Sequence, residues 1–301
     1  MTDTESGELE NVETLSGKTV FITGASRGIG LAIALRAAQD GANVVIAARS
    51  TEHNPKLPGT IFSAAAEVEA AGGVALPLRV DLRDEAQVRA ALAETAKRFG
   101  GIDIVVNNAA AMALADTRHI DMARFDMMHQ VNVRGAFMAS KFALPFLERA
   151  PNPHILMIAP PLDLREKFFA GHMAFSMSKF GMSMMAMGLN AELRSKGVAV
   201  NTLWPRSLIS TSGIPESAEG QDNLRASRKP EIMADAAHLI LTKEAKNFTG
   251  RYLIDELLLA ENGETDFARY AIDEEAALAL GFLSTSRAPK LAIAAPVEDP
   301  A

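Results

Sequence analysis

From Lys18 onward, short β-branched and apolar runs alternate with longer Ala-rich amphipathic stretches. The strand-length runs are Thr19–Ile22, Val44–Ala47, Val74–Leu78, Ile104–Val106, Ile155–Ile158, Val198–Leu203 and Tyr252–Ile254. Between them Ile29–Asp40, Ile61–Ala71, Glu85–Phe99, Met122–Glu148 and His172–Ser195 place apolar residues at helical spacing. Strands that are apolar throughout belong to a sheet covered on both faces, and regular interruption by helices makes that sheet parallel. The expected fold is α/β: a single doubly wound Rossmann-type domain, with a parallel sheet of about seven strands and helices on both faces.

Two stretches break the rhythm. Ser50–Gly59 inserts a Pro-bearing loop after the second strand, and Ser207–Pro230 is polar, carries Gly213, Pro215 and Gly220, and follows a strand. The second is expected to be a mobile lid. Residues 1–15 are acidic and are expected to form a loose tail, 16–275 the domain, and 276–301 a C-terminal extension.

Composition narrows the function classes. With 301 residues, 48% of them hydrophobic, the chain can bury one sizeable core. A net charge of −7 argues against a nucleic-acid or anionic-membrane surface. There is no apolar window of about 18 residues, so no membrane span is expected, and the N-terminus lacks the apolar stretch of a signal peptide. Zero cysteines exclude disulfides and thiolate metal sites, and the six His are scattered, so no metal is expected. A cytoplasmic location fits these features.

The chemistry begins at Thr23-Gly24-Ala25-Ser26-Arg27-Gly28-Ile29-Gly30, which ends an apolar strand and opens a helix. Gly24 permits a tight turn, Gly28 lets backbone N–H groups approach a pyrophosphate, and Gly30 allows close helix–strand packing. An NAD site places an acid at the end of the second strand, for the ribose hydroxyls. Here that strand ends Ala47-Ala48-Arg49-Ser50, and Arg49 and Arg27 are suited to a 2′-phosphate. The expected cofactor is NADP(H); the alternative is two solvated surface arginines.

Together with Asp81-Leu82, Asn107-Asn108-Ala109, Val131-Asn132-Val133 and Lys179, this turn resembles the short-chain dehydrogenase/reductase family over roughly Ser16 to Asp273. Stretches 53–73, 159–175, 201–211 and 248–261 resemble its hydroxysteroid-dehydrogenase-like branch. The resemblance implies that Gly24, Ser26, Arg27, Gly28, Ile29 and Gly30 hold the phosphates, that Asp81 and Leu82 contact adenine, and that Asn107 and Ala109 border the nucleotide. It further implies that Lys179 holds the nicotinamide ribose, that Asn132 supports a water beside it, and that Thr211 sits near the nicotinamide carboxamide or phosphate. A small-molecule substrate and a homodimer or homotetramer are implied too.

The family's reaction uses a Ser hydroxyl to polarise a carbonyl and a Tyr hydroxyl to move the proton. At the expected positions this chain has Ala159 and, four residues before Lys179, Phe175. Both substitutions keep shape and lose the polar atom. General acid–base help is worth ~10²–10⁴ in rate and one oxyanion donor roughly 10²–10³. The expectation is therefore an NADP(H)-dependent oxidoreductase, acting on a hydroxyl/carbonyl pair of an apolar molecule, whose turnover is impaired. Alternatives are a non-catalytic NADP-binding protein and a lyase or isomerase on the same scaffold. His172 shares the Phe175 helix face and could donate a proton, although a packing or capping role is favoured. The methionines from Met173 to Met187 are read as packing, in keeping with the adaptable shape of that side chain.

Overall fold

The structure, a computed structural model, describes residues 14–55, 57–211, 218–281 and 283–284. Seven strands form: β1 (Thr19–Thr23), β2 (Asn43–Ala48), β3 (Val74–Arg79), β4 (Ile104–Asn107), β5 (His154–Ile158), β6 (Ala199–Trp204) and β7 (Tyr252–Ile254). They make one all-parallel sheet in the order β3-β2-β1-β4-β5-β6-β7. β1, β4, β5 and β6 are buried along their whole length, which is why they read as continuous apolar runs. The strand order reverses between β1 and β4, and in such sheets a crevice opens at the carboxyl ends of the strands beside the reversal.

The first three helices are α1 (Gly28–Gln39), α2 (Ile61–Ala70) and α3 (Glu85–Phe99). Local chemistry sets their ends. In α2 a reciprocal cap starts the helix: Ser63 N–H donates to Thr60 Oγ1 at 3.0 Å and Thr60 N–H to Ser63 Oγ at 2.9 Å. Asp84 caps α3 by accepting from Ala86 N at 2.9 Å and Gln87 N at 3.2 Å, and Gly100 ends it.

The long stretch from Met122 to Glu148 is not one regular helix. It runs as α4 (Met122–Met128), a π-helical turn (His129–Gly135) and α5 (Ala136–Leu147). The wider turn holds Asn132, whose buried amide bonds outside its own helix. Then follow α6 (Met173–Leu193), α7 (Ala218–Arg225), α8 (Glu231–Thr242) and α9 (Asp255–Glu261). One apolar layer gathers Ile33, Ala37, Ile232 and Ile240 against the sheet, and the opposite layer gathers Val88, Leu92, Ala143, Met182 and Leu189.

The structure changes three boundary expectations. Leu15 belongs to the core at 2% exposure, and its N–H donates to Asp40 Oδ2 at 2.8 Å, so the loose tail stops short of it. Ser207–Pro230 is not simply an open polar lid. α7 lies within it, and its ends are tied by Ser210 N–H to Arg228 O (2.8 Å) and Arg228 N–H to Leu208 O (2.9 Å); residues 212–217 lie outside the described residues. The C-terminal stretch also packs onto the domain: Leu208 N–H donates to Ala279 O at 3.0 Å, Gly281 N–H to Arg206 O at 3.0 Å and Ser284 Oγ to Pro205 O at 2.5 Å. Among the described residues, no helix is long and apolar enough to cross a membrane.

Candidate functional site

A cleft of about 720 Å³ runs along the carboxyl ends of the strands, from Arg49 and Asp81 at one end to Phe175, Lys179 and Trp204 at the other. Gly24, Ser26, Arg27, Gly28 and Ile29 form its floor. No side chain caps α1 and its first turn carries no acid, so its leading N–H groups are open to an anion. The turn is tight enough to demand glycine. A Cβ on Gly24, whose φ is +69°, would lie 2.8 Å from the Ala109 Cα; one on Gly30 would lie 2.6 Å from Gly24 O and closer still to Asn108 Nδ2.

Asn108 holds this turn. Its Nδ2 donates to Thr23 O at 2.9 Å and Gly24 O at 3.2 Å, and its N–H donates to Thr23 Oγ1 at 3.0 Å. The sequence expectation chose Asn107. The structure instead buries Asn107 on the far side of the strand, where Nδ2 donates to Ser140 Oγ at 2.9 Å and Oδ1 has no partner. Strand alternation sends neighbouring side chains to opposite faces, so only one of the two asparagines can meet the cleft.

Arg27 lies on the cleft wall and also bonds to the inserted loop. Its guanidinium donates to Pro58 O (2.8 Å), Gly59 O (2.7 Å), Leu57 O (3.2 Å) and Ser50 Oγ (2.9 Å). The inserted loop after β2 is thus clasped to the glycine turn through Nε and Nη2 of this side chain, which also lines the cleft. Arg49 lies at the same end of the cleft, exposed, with no hydrogen bond or ion pair among the described residues. Asp81 takes Arg83 as a bidentate partner (Nη2–Oδ2 2.6 Å, Nε–Oδ1 3.0 Å); that bond, with the field of Arg49, holds its carboxyl down at about 2. Leu82 lines the wall beside it. Thr211 lies against Gly28, at the phosphate turn, where a Cβ on that glycine would approach its Cγ2 to 3.2 Å.

At the other end, Phe175 and Lys179 both line the cleft, one helical turn apart on α6. Lys179 is 3% exposed; its Nζ donates to Ile158 O at 2.9 Å and lies 5.3 Å from the centroid of the Trp204 ring. Burial alone pushes this amine down to about 7. Ala159 and Asn132 are not brought to the wall. Ala159 follows β5 with no exposure, sends its N–H to Leu203 O at 3.1 Å, and packs in the apolar layer with Met157 and Met182. Asn132 Nδ2 donates to Ala111 O and Ser178 Oγ, both at 2.9 Å, and Oδ1 accepts from Ala111 N at 2.7 Å. Both amide hydrogens are used, so the side chain has no donor left for a water beside Lys179. It stitches the segment after β4 to α6.

His172 sits at the start of α6, half-buried, and is absent from the cleft wall; burial lowers its pKa. Ser176 donates to Phe168 O (2.5 Å) and Ser178 to Phe175 O (2.8 Å), so neither hydroxyl stands in for a phenol. Sequence reasoning missed Asn108, Trp204, Pro205, Met112 and Met127 on the wall. Among the described residues no cluster of three or more acidic or His side chains could hold a metal.

The parallel sheet with its strand-order reversal and an uncapped glycine turn defines a protein built to hold a dinucleotide. The chain belongs to the short chain dehydrogenase family, whose model matches residues 18–219. It is 50% identical over 264 residues to hydroxysteroid dehydrogenase-like protein 2 of Xenopus laevis, covering 88% of this chain and 63% of that protein. Among solved structures, one from Xanthomonas campestris matches with a TM-score of 0.85 and 55% identity, covering 91% of this chain and 99% of the other. A short chain dehydrogenase from Mycobacterium thermoresistibile matches with a TM-score of 0.84 and 44% identity, covering 92% and 98%. The chain therefore spans less than two thirds of the length of the curated relatives it matches.

Proposed function

We propose that this chain binds NADP(H) in the cleft and retains the frame of a reductase for the hydroxyl/carbonyl pair of an apolar small molecule, with its proton-transfer group removed. The observation that carries the reading is the contrast within one cleft: open N–H groups and the exposed Arg49, without a hydrogen bond or ion pair among the described residues, at one end, and Phe175 where the proton donor is expected at the other.

A nicotinamide dinucleotide fits these residues. The α1 N-terminus and Gly24–Gly30 would take the pyrophosphate, Arg49 the 2′-phosphate, Asp81 and Leu82 the adenine edge, Asn108 and Ala109 the middle of the nucleotide, and Lys179 the far ribose hydroxyls. When bound, the cofactor supplies or accepts a hydride. The chain's own part at the reaction end is to exclude water with Phe175, Trp204, Met112 and Met127 and to present Lys179. Among the described residues Phe175, Trp204, Met112 and Met127 offer no hydroxyl to a substrate oxygen there, so carbonyl reduction would proceed without general acid help from them. The exposed methionines of α6, Met177 (45%), Met184 (58%) and Met187 (52%), suit a homodimer or homotetramer face.

The test is the double variant Ala159→Ser/Phe175→Tyr, assayed for NADPH oxidation over a panel of aldehydes and ketones, beside NADPH binding to the unaltered chain. The reading expects tight binding in both and a rate gain of at least ~10² in the variant. A chain that does not bind NADPH would sink the cofactor assignment. Binding with no gain would favour a non-catalytic or non-redox use of the same cleft.

A further inference from the structure

Two charges of opposite sign share the nucleotide end of the cleft. Arg49 and Asp81 both line it, and the field of Arg49 reaches the Asp81 carboxyl. Left bare, an ionised Asp81 would offset the attraction of Arg49 for a 2′-phosphate and repel that phosphate itself. It would also offer an acceptor to a free ribose hydroxyl, the task an acid performs at an NAD site. We infer that Arg83, which is absent from the cleft wall, sets a preference for NADPH over NADH by neutralising Asp81, so that Arg49 keeps its charge for the 2′-phosphate. On the reading that the cleft holds NADP(H), Arg83 is thus a positioning residue for selectivity that touches no part of the cofactor.

The pair is built for this task. Arg83 Nη2 donates to Asp81 Oδ2 at 2.6 Å, and Nε donates to Oδ1 at 3.0 Å and to Oδ2 at 3.1 Å, so both carboxylate oxygens meet the planar fork. The main chain fixes the acid independently of that fork. Asp81 N–H donates to Gln87 Oε1 at 3.0 Å, and Arg83 N–H donates to Asp81 Oδ1 at 3.0 Å. Arg134 Nη1 in turn donates to Arg83 O at 3.0 Å, which holds the turn from the other side. Truncating the Arg83 side chain therefore uncovers the charge of Asp81 and leaves the bonds that place its carboxyl.

The neighbouring charges do not take over the role. Asp84 is spent on the start of α3, where it accepts from Ala86 N, Gln87 N and Gln87 Nε2. Glu85 pairs with Arg89 at 2.9 Å and with Arg134 at 3.8 Å. Arg27 gives its Nε and Nη2 to the inserted loop. The Arg83 and Asp81 side chains are 39% and 22% exposed, so water and salt screen the pair and its effect on selectivity is graded. A contact that only folded the turn would weaken both dinucleotides alike, whereas a charge shield acts on the one that carries the extra phosphate.

The experiment titrates the whole chain calorimetrically with NADPH and with NADH, in the unaltered form, Arg83→Ala, Asp81→Asn and the double variant. The ratio of the two dissociation constants cancels the adenine contact that both dinucleotides share. Arg83→Ala should lower the preference for NADPH by about threefold to tenfold in dilute buffer and by less in roughly 0.5 M salt. Added to Asp81→Asn, the same change should lower it no further. An unchanged ratio in Arg83→Ala overturns the inference and leaves the cofactor reading standing. A fall that persists beside Asp81→Asn also overturns it, because Arg83 would then act on the phosphate directly. An unaltered chain with no preference for NADPH removes both readings. Without any cofactor, carbon NMR reads the shield itself: the Asp81 carboxyl, held at about 2, should titrate higher in Arg83→Ala, and an unmoved titration would refute the shielding.

Discussion

At the glycine-turn end of the cleft the chain presents backbone N–H groups, the exposed guanidinium of Arg49 and an acid held ionised by Arg83; at the α6 end it presents two aromatic rings, methionines and one buried amine. The first end is polar through its main chain, which a side-chain substitution does not erase. The second depends on single side-chain atoms, where one phenol oxygen more or less would change its chemistry while leaving its shape. Binding and turnover are therefore separable in this fold, and substitutions at one end should leave the other nearly untouched.

The sharpest way to break that separation is to restore the two hydroxyls singly. Phe175→Tyr places a phenol on the cleft wall one turn from Lys179 and should bring most of the gain, ~10²–10⁴ in NADPH-dependent aldehyde reduction. Ala159→Ser alone should bring no measurable rate and should lower stability by about 1–2 kcal/mol, because its hydroxyl enters an apolar layer. A rate gain from the serine alone would show that Ala159 reaches the substrate after all.

Next in size is the cost of the buried amine. The unfolded chain titrates Lys179 near 10.5 and the folded chain near 7, so between those values the unfolded state holds more protons and stability rises with pH. Lys179→Met should remove that slope and stabilise the fold at pH 7 by a few kcal/mol, an order-of-magnitude figure read from urea unfolding at pH 7, 8.5 and 10. An unchanged slope would mean that the amine stays protonated in the fold.

The smallest contrast separates two arginines at the nucleotide end. The proposed place of Arg49 at the 2′-phosphate requires that Arg49→Ala weaken NADPH by roughly tenfold to a hundredfold and NADH much less. Arg27→Ala should weaken both cofactors alike, because it releases the clasped loop from the glycine turn. Calorimetric titration with each dinucleotide reads both outcomes, and a selective effect at Arg27 would reverse their roles.

The central strands β1, β4, β5 and β6 were legible because burial on both faces leaves no room for polar alternation, and every strand lay within a residue or two of its apolar run. The glycine turn was legible for the same local reason. What escaped the sequence lay in long-range bonding. The π-helical turn keeps helix-like spacing, and nothing local reports that Asn132 reaches Ala111 and Ser178. Asn107 and Asn108 are indistinguishable until the strand's facing is known. Nothing local to Arg27 reports that the carbonyls of residues 57–59, about thirty positions on, take its Nε and Nη2. α7 was hidden because its polar sequence lacks an apolar stripe.

Ser284 grips Pro205 across 79 residues of chain, and Pro205 lines the cleft beside Trp204. During synthesis, which builds domains from the N-terminus onward, the glycine turn and its Asn108 brace need only the first 108 residues. The wall at the α6 end gains this further tie, to Pro205, once the chain has been made through Ser284. A nascent chain thus completes its glycine turn early and fastens the Pro205 end of its cleft late, and a chain cut between α9 and Ser284 would lack that fastening.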